Sequence, residues 1–194
     1  MVKAFFKLLF RLRGWKLHQP TPPEAFNCIM VAAPHTSNWD FPYTMTALEL
    51  LGVNPKFTIK EEFNRFPFSK LMERMGALWI DRSPRDGRTD RRSMTEVFAS
   101  LFEEHKDTPM SVVVTPEGTR SKVKQWKTGF YYSALKANVP ICLAFMDYEK
   151  NITGVGMCFK PSGDLEADMK IIMDFYRDKQ GKFPQQFALD TRYS

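Results

Sequence analysis

The chain has 194 residues, of which 43% are hydrophobic and 26% charged. That composition supports one sizeable core and excludes a disordered tail, a collagen or a disulfide mini-protein. The net charge of +6 comes from 28 basic against 22 acidic residues and is unevenly placed. Lys3, Lys7, Arg11, Arg13 and Lys16 fall within residues 1–19 with no acid among them, so the remainder is nearly balanced. A nucleic-acid binder spreads its basic residues over a docking face, so that class is disfavoured.

The opening MVKAFFKLLFRLRGW reads as a helix closed by Gly14. Lys3, Lys7 and Arg11 form one stripe. Phe5, Leu8, Leu9, Leu12 and Trp15 recur at helical spacing on another face, flanked by Phe6 and Phe10. Such a helix suits an anionic membrane interface, and the competing reading is a core-packing helix with a solvated basic edge. Pro20, Pro22 and Pro23 mark a linker. The expected division is therefore an amphipathic interface helix over residues 1–19 and a main domain over 20–194.

Residues 27–33 are a short apolar run, expected as a buried strand. A helix is expected near 41–51, stopped by Gly52, then a strand at 56–59 and a helix at 68–75. A strand at 77–80 precedes a loop at 83–89 holding Pro84 and Gly87. Asp90 is the expected cap of a helix reaching His105, with Met94, Val97, Phe98, Leu101 and Phe102 at helical spacing. A strand at 111–114, a helix at 129–137, strands at 140–146 and 154–159, and a helix at 165–179 complete the order. Alternating short apolar strands and helices predict a single α/β domain whose mostly parallel central sheet is covered by helices.

Cys28, Cys142 and Cys158 show no CxxC spacing, and His18, His35 and His105 lie far apart. No disulfide framework and no metal site follow, which suits a reducing compartment. No apolar run is long enough to span a bilayer. Lys7 and Arg11 interrupt the only stretch resembling a signal peptide.

In parallel sheets, ligands bind beyond the carboxyl ends of the strands. After the first core strand comes Pro34-His35-Thr36-Ser37-Asn38-Trp39-Asp40. His35 and Asp40 would not meet on one continuous helix, but they can meet across a loop-to-helix turn. A carboxylate on one imidazole nitrogen fixes the tautomer and leaves the other nitrogen free to take a proton. No Ser or Cys nucleophile stands out beside the pair, which suits a base acting on a substrate hydroxyl. The bland alternative is a helix-capping Asp40 and an unrelated His35. The strand at 77–80 is followed by Asp81-Arg82. The strand at 111–114 is followed by Thr115-Pro116-Glu117-Gly118-Thr119-Arg120-Ser121 and then Lys122, Lys124 and Lys127. Arg82 and Arg120 can each fork onto a phosphate, and Gly118 permits a turn or close approach to a ligand. Glu117 could hold an arginine or bind a ligand hydroxyl.

Together these segments resemble the glycerophospholipid acyltransferases, the family that includes lysophosphatidic acid acyltransferases. The His-x4-Asp motif is His35 to Asp40. GALWIDR, from Gly76 to Arg82, is similar to the second motif, and Lys60-Glu61-Glu62-Phe63 to a stretch before it. Glu-Gly-Thr-Arg-Ser stands intact from Glu117 to Ser121 and is followed by Trp126-Lys127-Thr128-Gly129. Val139-Pro140-Ile141 matches the fourth motif, with Leu143 where the family often has a second proline. The resemblance covers roughly residues 27–150.

It implies acyl transfer from acyl-CoA or acyl carrier protein to a hydroxyl of a phosphorylated glycerolipid, most simply 1-acyl-glycerol-3-phosphate, in phospholipid synthesis. His35 is the implied base and Asp40 its orienting partner. Arg82, Glu117, Gly118, Thr119 and Arg120 are the implied binders of the acceptor, with Lys60 and Lys127 as helpers. Backbone N–H groups of the His35 loop are the expected oxyanion donors. No cofactor and no metal are required beyond the thioester co-substrate. The expected partners are the lysophospholipid acceptor, the acyl donor and, through residues 1–19, anionic lipid at the cytoplasmic face of a membrane; nucleic acid is not among them. The alternatives are another lysolipid or amino-lipid acceptor, or a non-catalytic peripheral lipid-binding protein.

Overall fold

A computed structural model describes residues 2–61, 64–66, 68–80 and 93–194. Arg82, Glu62, Phe63, the loop at 83–89 and the expected cap Asp90 lie outside the described residues, as does the side chain of Lys60.

The described elements run α1 (Val2–Leu12), β1 (Lys16–Leu17), β2 (Cys28–Ala33), α2 (Asp40–Leu50), β3 (Pro55–Lys60), α3 (Phe68–Arg74) and β4 (Ala77–Ile80). They continue with α4 (Met94–Glu104), β5 (Ser111–Val114), α5 (Gly129–Ala137), β6 (Ile141–Asp147), β7 (Ile152–Phe159) and α6 (Leu165–Tyr176). The strands form one seven-stranded sheet in the order β1-β7-β6-β2-β5-β3-β4. Every pairing is parallel except β6 with β7, a hairpin that makes one edge antiparallel to the centre.

Alternation along β2 explains the two layers. Ile29, Val31 and Ala33 join a core with residues of α4, α5 and α6. Cys28, Met30 and Ala32 face the other way and pack with Ala25, Leu48 and Val53. All of β2 and β6 is buried, which is why both strands read as continuous apolar runs rather than alternating ones. Helix α4 starts at Met94 and its cap is Ser93, three residues beyond the expected Asp90. Ser93 accepts from the Glu96 amide while the Glu96 carboxylate accepts from the Ser93 amide, a reciprocal capping box. Gly76 has φ +100°, and a Cβ there would strike the Pro55 carbonyl, so the turn from α3 into β4 requires glycine.

The first helix packs part of its apolar surface into the body and leaves part of it outward. Phe10 is 2% exposed and Trp15 8%, and they pack with Tyr43, Ala47 and Met146. Phe5, Leu8 and Leu12 point outward at 58%, 57% and 74% exposure. The inward residue is therefore Phe10, on the flank of the sequence stripe. Immediately beyond it, Lys16 and Leu17 pair with Ile152 and Thr153 as an edge strand. Residues 2–19 are thus tied to the sheet through β1.

One expectation is corrected. Cys142 and Cys158 are direct partners across the β6–β7 ladder, 4.0 Å apart at Cα, and form a disulfide. Their separation of 16 residues spans a hairpin, so no local cysteine spacing signals it. Cysteine pattern accordingly gives no ground for a reducing compartment. Cys28 is free and buried, and burial pushes its thiol up to about 12.

Candidate active site

The central strands β2, β5 and β6 lie side by side, so the loops leaving their carboxyl ends converge. His35 follows β2, the 115–121 loop follows β5, and Tyr148 follows β6. Asp40 opens α2, where a carboxylate also faces the positive end of the helix dipole.

The structure brings His35 and Asp40 together. His35 Nδ1 stands 3.5 Å from Asp40 Oδ2, and the side chains are 16% and 5% exposed. Asp40 Oδ2 accepts from the backbone N–H groups of Thr36 and Ser37, each at 2.7 Å. Asp40 Oδ1 accepts from the Tyr148 hydroxyl at 2.7 Å. With Nδ1 turned to the carboxylate, Nε2 is the nitrogen left for a substrate.

Among the described residues, Glu117 binds no arginine side chain, and it does not line the cavity that His35 and Asp40 face. Its carboxyl accepts from the His35 backbone N–H, 2.9 Å to Oε2 and 3.2 Å to Oε1. It therefore ties the 115–121 loop to the loop carrying His35. Burial pushes this carboxyl up to about 8, opposed by the His35 N–H and reinforced by the charge of Asp40. A carboxyl raised from 4.5 to about 8 holds its proton longer in the folded state, so it costs stability as pH rises through that window. Glu117→Gln keeps an acceptor for the His35 amide but cannot titrate. Stability measured by denaturant between pH 5 and 8 is expected to fall less steeply in the variant, by up to about 1.4 kcal/mol per pH unit. Parallel curves would contradict a buried, proton-holding Glu117.

Gly118 has φ +68°, and an added Cβ would come within 2.6 Å of the Lys127 ammonium. Glycine thus allows both the left-handed turn and the close passage of Lys127. Thr119 accepts from the Ser121 amide at 3.3 Å and belongs to the loop's own turn. Arg120 and Lys127 line a cavity of about 470 Å³ together with His35 and Asp40. Its other walls are largely apolar, among them Phe41, Met45, Phe57, Phe98 and Phe130. The size is ordinary for a small-molecule site. The arrangement places an imidazole–carboxylate pair and two cations beside an apolar chamber, which suits a ligand with an ionic head and a hydrocarbon chain.

Four N–H groups of the His35 loop, where the oxyanion donors are expected, already have partners. The amides of His35, Thr36 and Ser37 serve carboxylates, and that of Trp39 donates to Ser37 Oγ. Asn38 of the same loop lines the cavity.

Two contributors have no counterpart in the sequence reading. Tyr148 is one, although its position one residue past a core strand is a signal of the kind that singled out His35. The other is the C-terminal tail. The Phe183 amide donates to Thr36 Oγ1 at 3.2 Å. With its amide nitrogen turned inward, Gln186 donates to the carbonyls of Thr36 and Arg120, each at 2.9 Å. The tail thus bridges the loops of His35 and of Arg120.

A family model described as Acyltransferase matches residues 17–145. The chain is 30% identical over 143 residues to the 1-acyl-sn-glycerol-3-phosphate acyltransferase of Escherichia coli K12, an alignment covering 70% of this chain and 54% of that protein. The chain thus spans about half the length of that relative. The crystal structure of the 1-acyl-sn-glycerophosphate (LPA) acyltransferase PlsC from Thermotoga maritima superposes with a TM-score of 0.50 at 18% identity, covering 84% of this chain and 69% of that one. That likeness supports the fold.

Proposed function

Because the chain belongs to the Acyltransferase family, we propose that it moves a fatty acyl group from a thioester, acyl-CoA or acyl carrier protein, to a hydroxyl of a phosphorylated glycerolipid. The preferred acceptor is 1-acyl-glycerol-3-phosphate, the substrate in the name of the Escherichia coli relative, and the product would enter phospholipid synthesis. The observation that carries this reading is the His35–Asp40 pair opening onto a cavity that also presents Arg120 and Lys127.

In this mechanism His35 Nε2 takes the proton of the acceptor hydroxyl as its oxygen attacks the thioester carbonyl. Asp40 holds the ring by Nδ1 and stabilises the imidazolium. The tetrahedral intermediate collapses with loss of the thiolate, which recovers the proton from His35. The ester and the free thiol leave, and no acyl-enzyme forms. Arg120, with Lys127 beside it, binds the acceptor phosphate. Arg82 is proposed for the same task. Gly118 and Thr119 shape the loop, and Glu117 braces it against His35. The apolar chamber receives hydrocarbon.

No helix among the described residues is long and apolar enough to cross a membrane. We place the enzyme peripherally, at the cytoplasmic face, with the outward Phe5, Leu8 and Leu12 entering the interface and Lys7 and Arg11 meeting anionic headgroups. Replacing Phe5, Leu8 and Leu12 by Ser is expected to weaken binding to phosphatidylglycerol vesicles at least tenfold, since even partial burial of each side chain contributes about 1 kcal/mol. The melting temperature should hold, because Phe10 and Trp15 supply the helix's core contacts. Unchanged vesicle partition would remove this surface from the account.

The function is tested by following thiol release from purified protein with acyl-CoA and acyl carrier protein donors against lysophosphatidic acid, glycerol phosphate, other lysolipids and amino-lipids. Turnover that depends on a phosphorylated acceptor supports the proposal. Vesicle binding with no transfer for any pair would favour a non-catalytic lipid-binding protein.

A further inference from the structure

The Asp40 carboxylate is held from two sides. The Thr36 and Ser37 amides fix Oδ2. They leave the group free to rock about its Cβ–Cγ bond unless Oδ1 is fixed as well. Oδ1 receives the Tyr148 hydroxyl at 2.7 Å. That tyrosine is itself anchored: its amide donates to the Gln180 carbonyl at 2.9 Å, and its ring meets Trp15 edge-on with centroids 4.9 Å apart. Trp15 stacks on Phe10 and leans on Tyr43, so the ring cluster reaches back into the N-terminal helix.

We propose that Tyr148 is a positioning residue for the His35–Asp40 pair, and that Trp15 sets Tyr148, making the N-terminal segment part of the scaffold of the active site. The proposal rests on His35 acting as the base. In it, Tyr148 sets the plane of the carboxylate so that Oδ2 faces His35 Nδ1. Trp15 keeps the phenol ring from swinging toward solvent. Burial and the Asp40 carboxylate both raise the Tyr148 hydroxyl above the ordinary tyrosine range, so it remains a donor throughout the working pH range. The same residues that seat α1 on the body thereby reach the catalytic carboxylate.

The test uses the full chain and a short-chain lysophosphatidic acid below its micellar concentration, so that membrane recruitment does not enter. Tyr148→Phe deletes one oxygen and keeps the ring against Trp15. It is expected to lower kcat on the order of tenfold, with acceptor KM within about twofold and the melting temperature nearly unchanged. Trp15→Leu is expected to lower kcat in the parent chain but to add little in the Tyr148→Phe background, because both act through one contact. A Tyr148→Phe kcat within about twofold of the parent, or fully multiplicative losses in the double variant, would overturn the proposal. So would a drop in melting temperature that accounts for the lost activity. His35→Ala run alongside separates the two levels: if it keeps turnover, the base assignment itself fails, whereas an inactive His35→Ala beside a normal Tyr148→Phe removes only the positioning role.

Discussion

His35→Ala is expected to lower acceptor-dependent kcat by on the order of 10³-fold, the range a positioned general base contributes. The loop should survive the change. The contact that ties residue 35 to Glu117 is made by its backbone N–H, not its ring. The neighbouring amides of Thr36 and Ser37 remain on Asp40. Removing the imidazole therefore empties a space at the cavity wall without unpairing a buried donor, and the melting temperature should stay close to the parent's. Substrate binding should also persist, because Arg120 and the apolar walls are untouched. A loss confined to kcat, with KM little changed, is the expected signature of a group that acts in the transition state. Near-normal turnover would contradict the mechanism.

Arg120→Ala should act differently. Arg120 lines the cavity that His35 and Asp40 share and is assigned to the acceptor phosphate. A charge-assisted hydrogen bond to an anion contributes about 1.5–3 kcal/mol, so acceptor KM is expected to rise roughly 10- to 100-fold while kcat falls far less. Arg120→Lys keeps the charge and loses the planar fork, which places it between the two. The carbonyl of Arg120, not its side chain, meets Gln186, so the tail's bridge should remain. A kcat loss with unchanged KM would move Arg120 from binding the phosphate to stabilising the transition state.

What could be read in advance follows from how local the signal is. The buried run 28–33 and the β-branched run 111–114 announce core strands because each has both faces covered. The position of His35 and Asp40 after a parallel strand marks them only as candidates, and the resemblance of His35 to Asp40 to a His-x4-Asp motif is what singles them out. The helix at 2–12 is legible as amphipathic, yet which residues turn inward depends on Tyr43 and Met146, distant in the chain. The contact of Glu117 with the His35 amide spans 82 residues, and that of Tyr148 with Asp40 spans 108. Both arise because β5 and β6 flank β2, a strand order that hydrophobic periodicity does not contain. The same holds for Cys142 and Cys158, which meet only through the register of a hairpin. The two-residue β1 is too short to leave a pattern; it exists because Lys16 and Leu17 pair with β7. Phe183 and Gln186 stand in a stretch without regular periodicity, and their role comes from where the tail is laid.

The most direct measurement is a stoichiometric one: thiol released from the acyl donor and ester formed on lysophosphatidic acid, counted together in the parent chain and in His35→Ala. One thiol per ester is expected in the parent, with no release without acceptor and loss of both in the variant. Thiol release that proceeds equally without acceptor, or that survives loss of the imidazole, would contradict direct transfer from a thioester to a hydroxyl activated by His35.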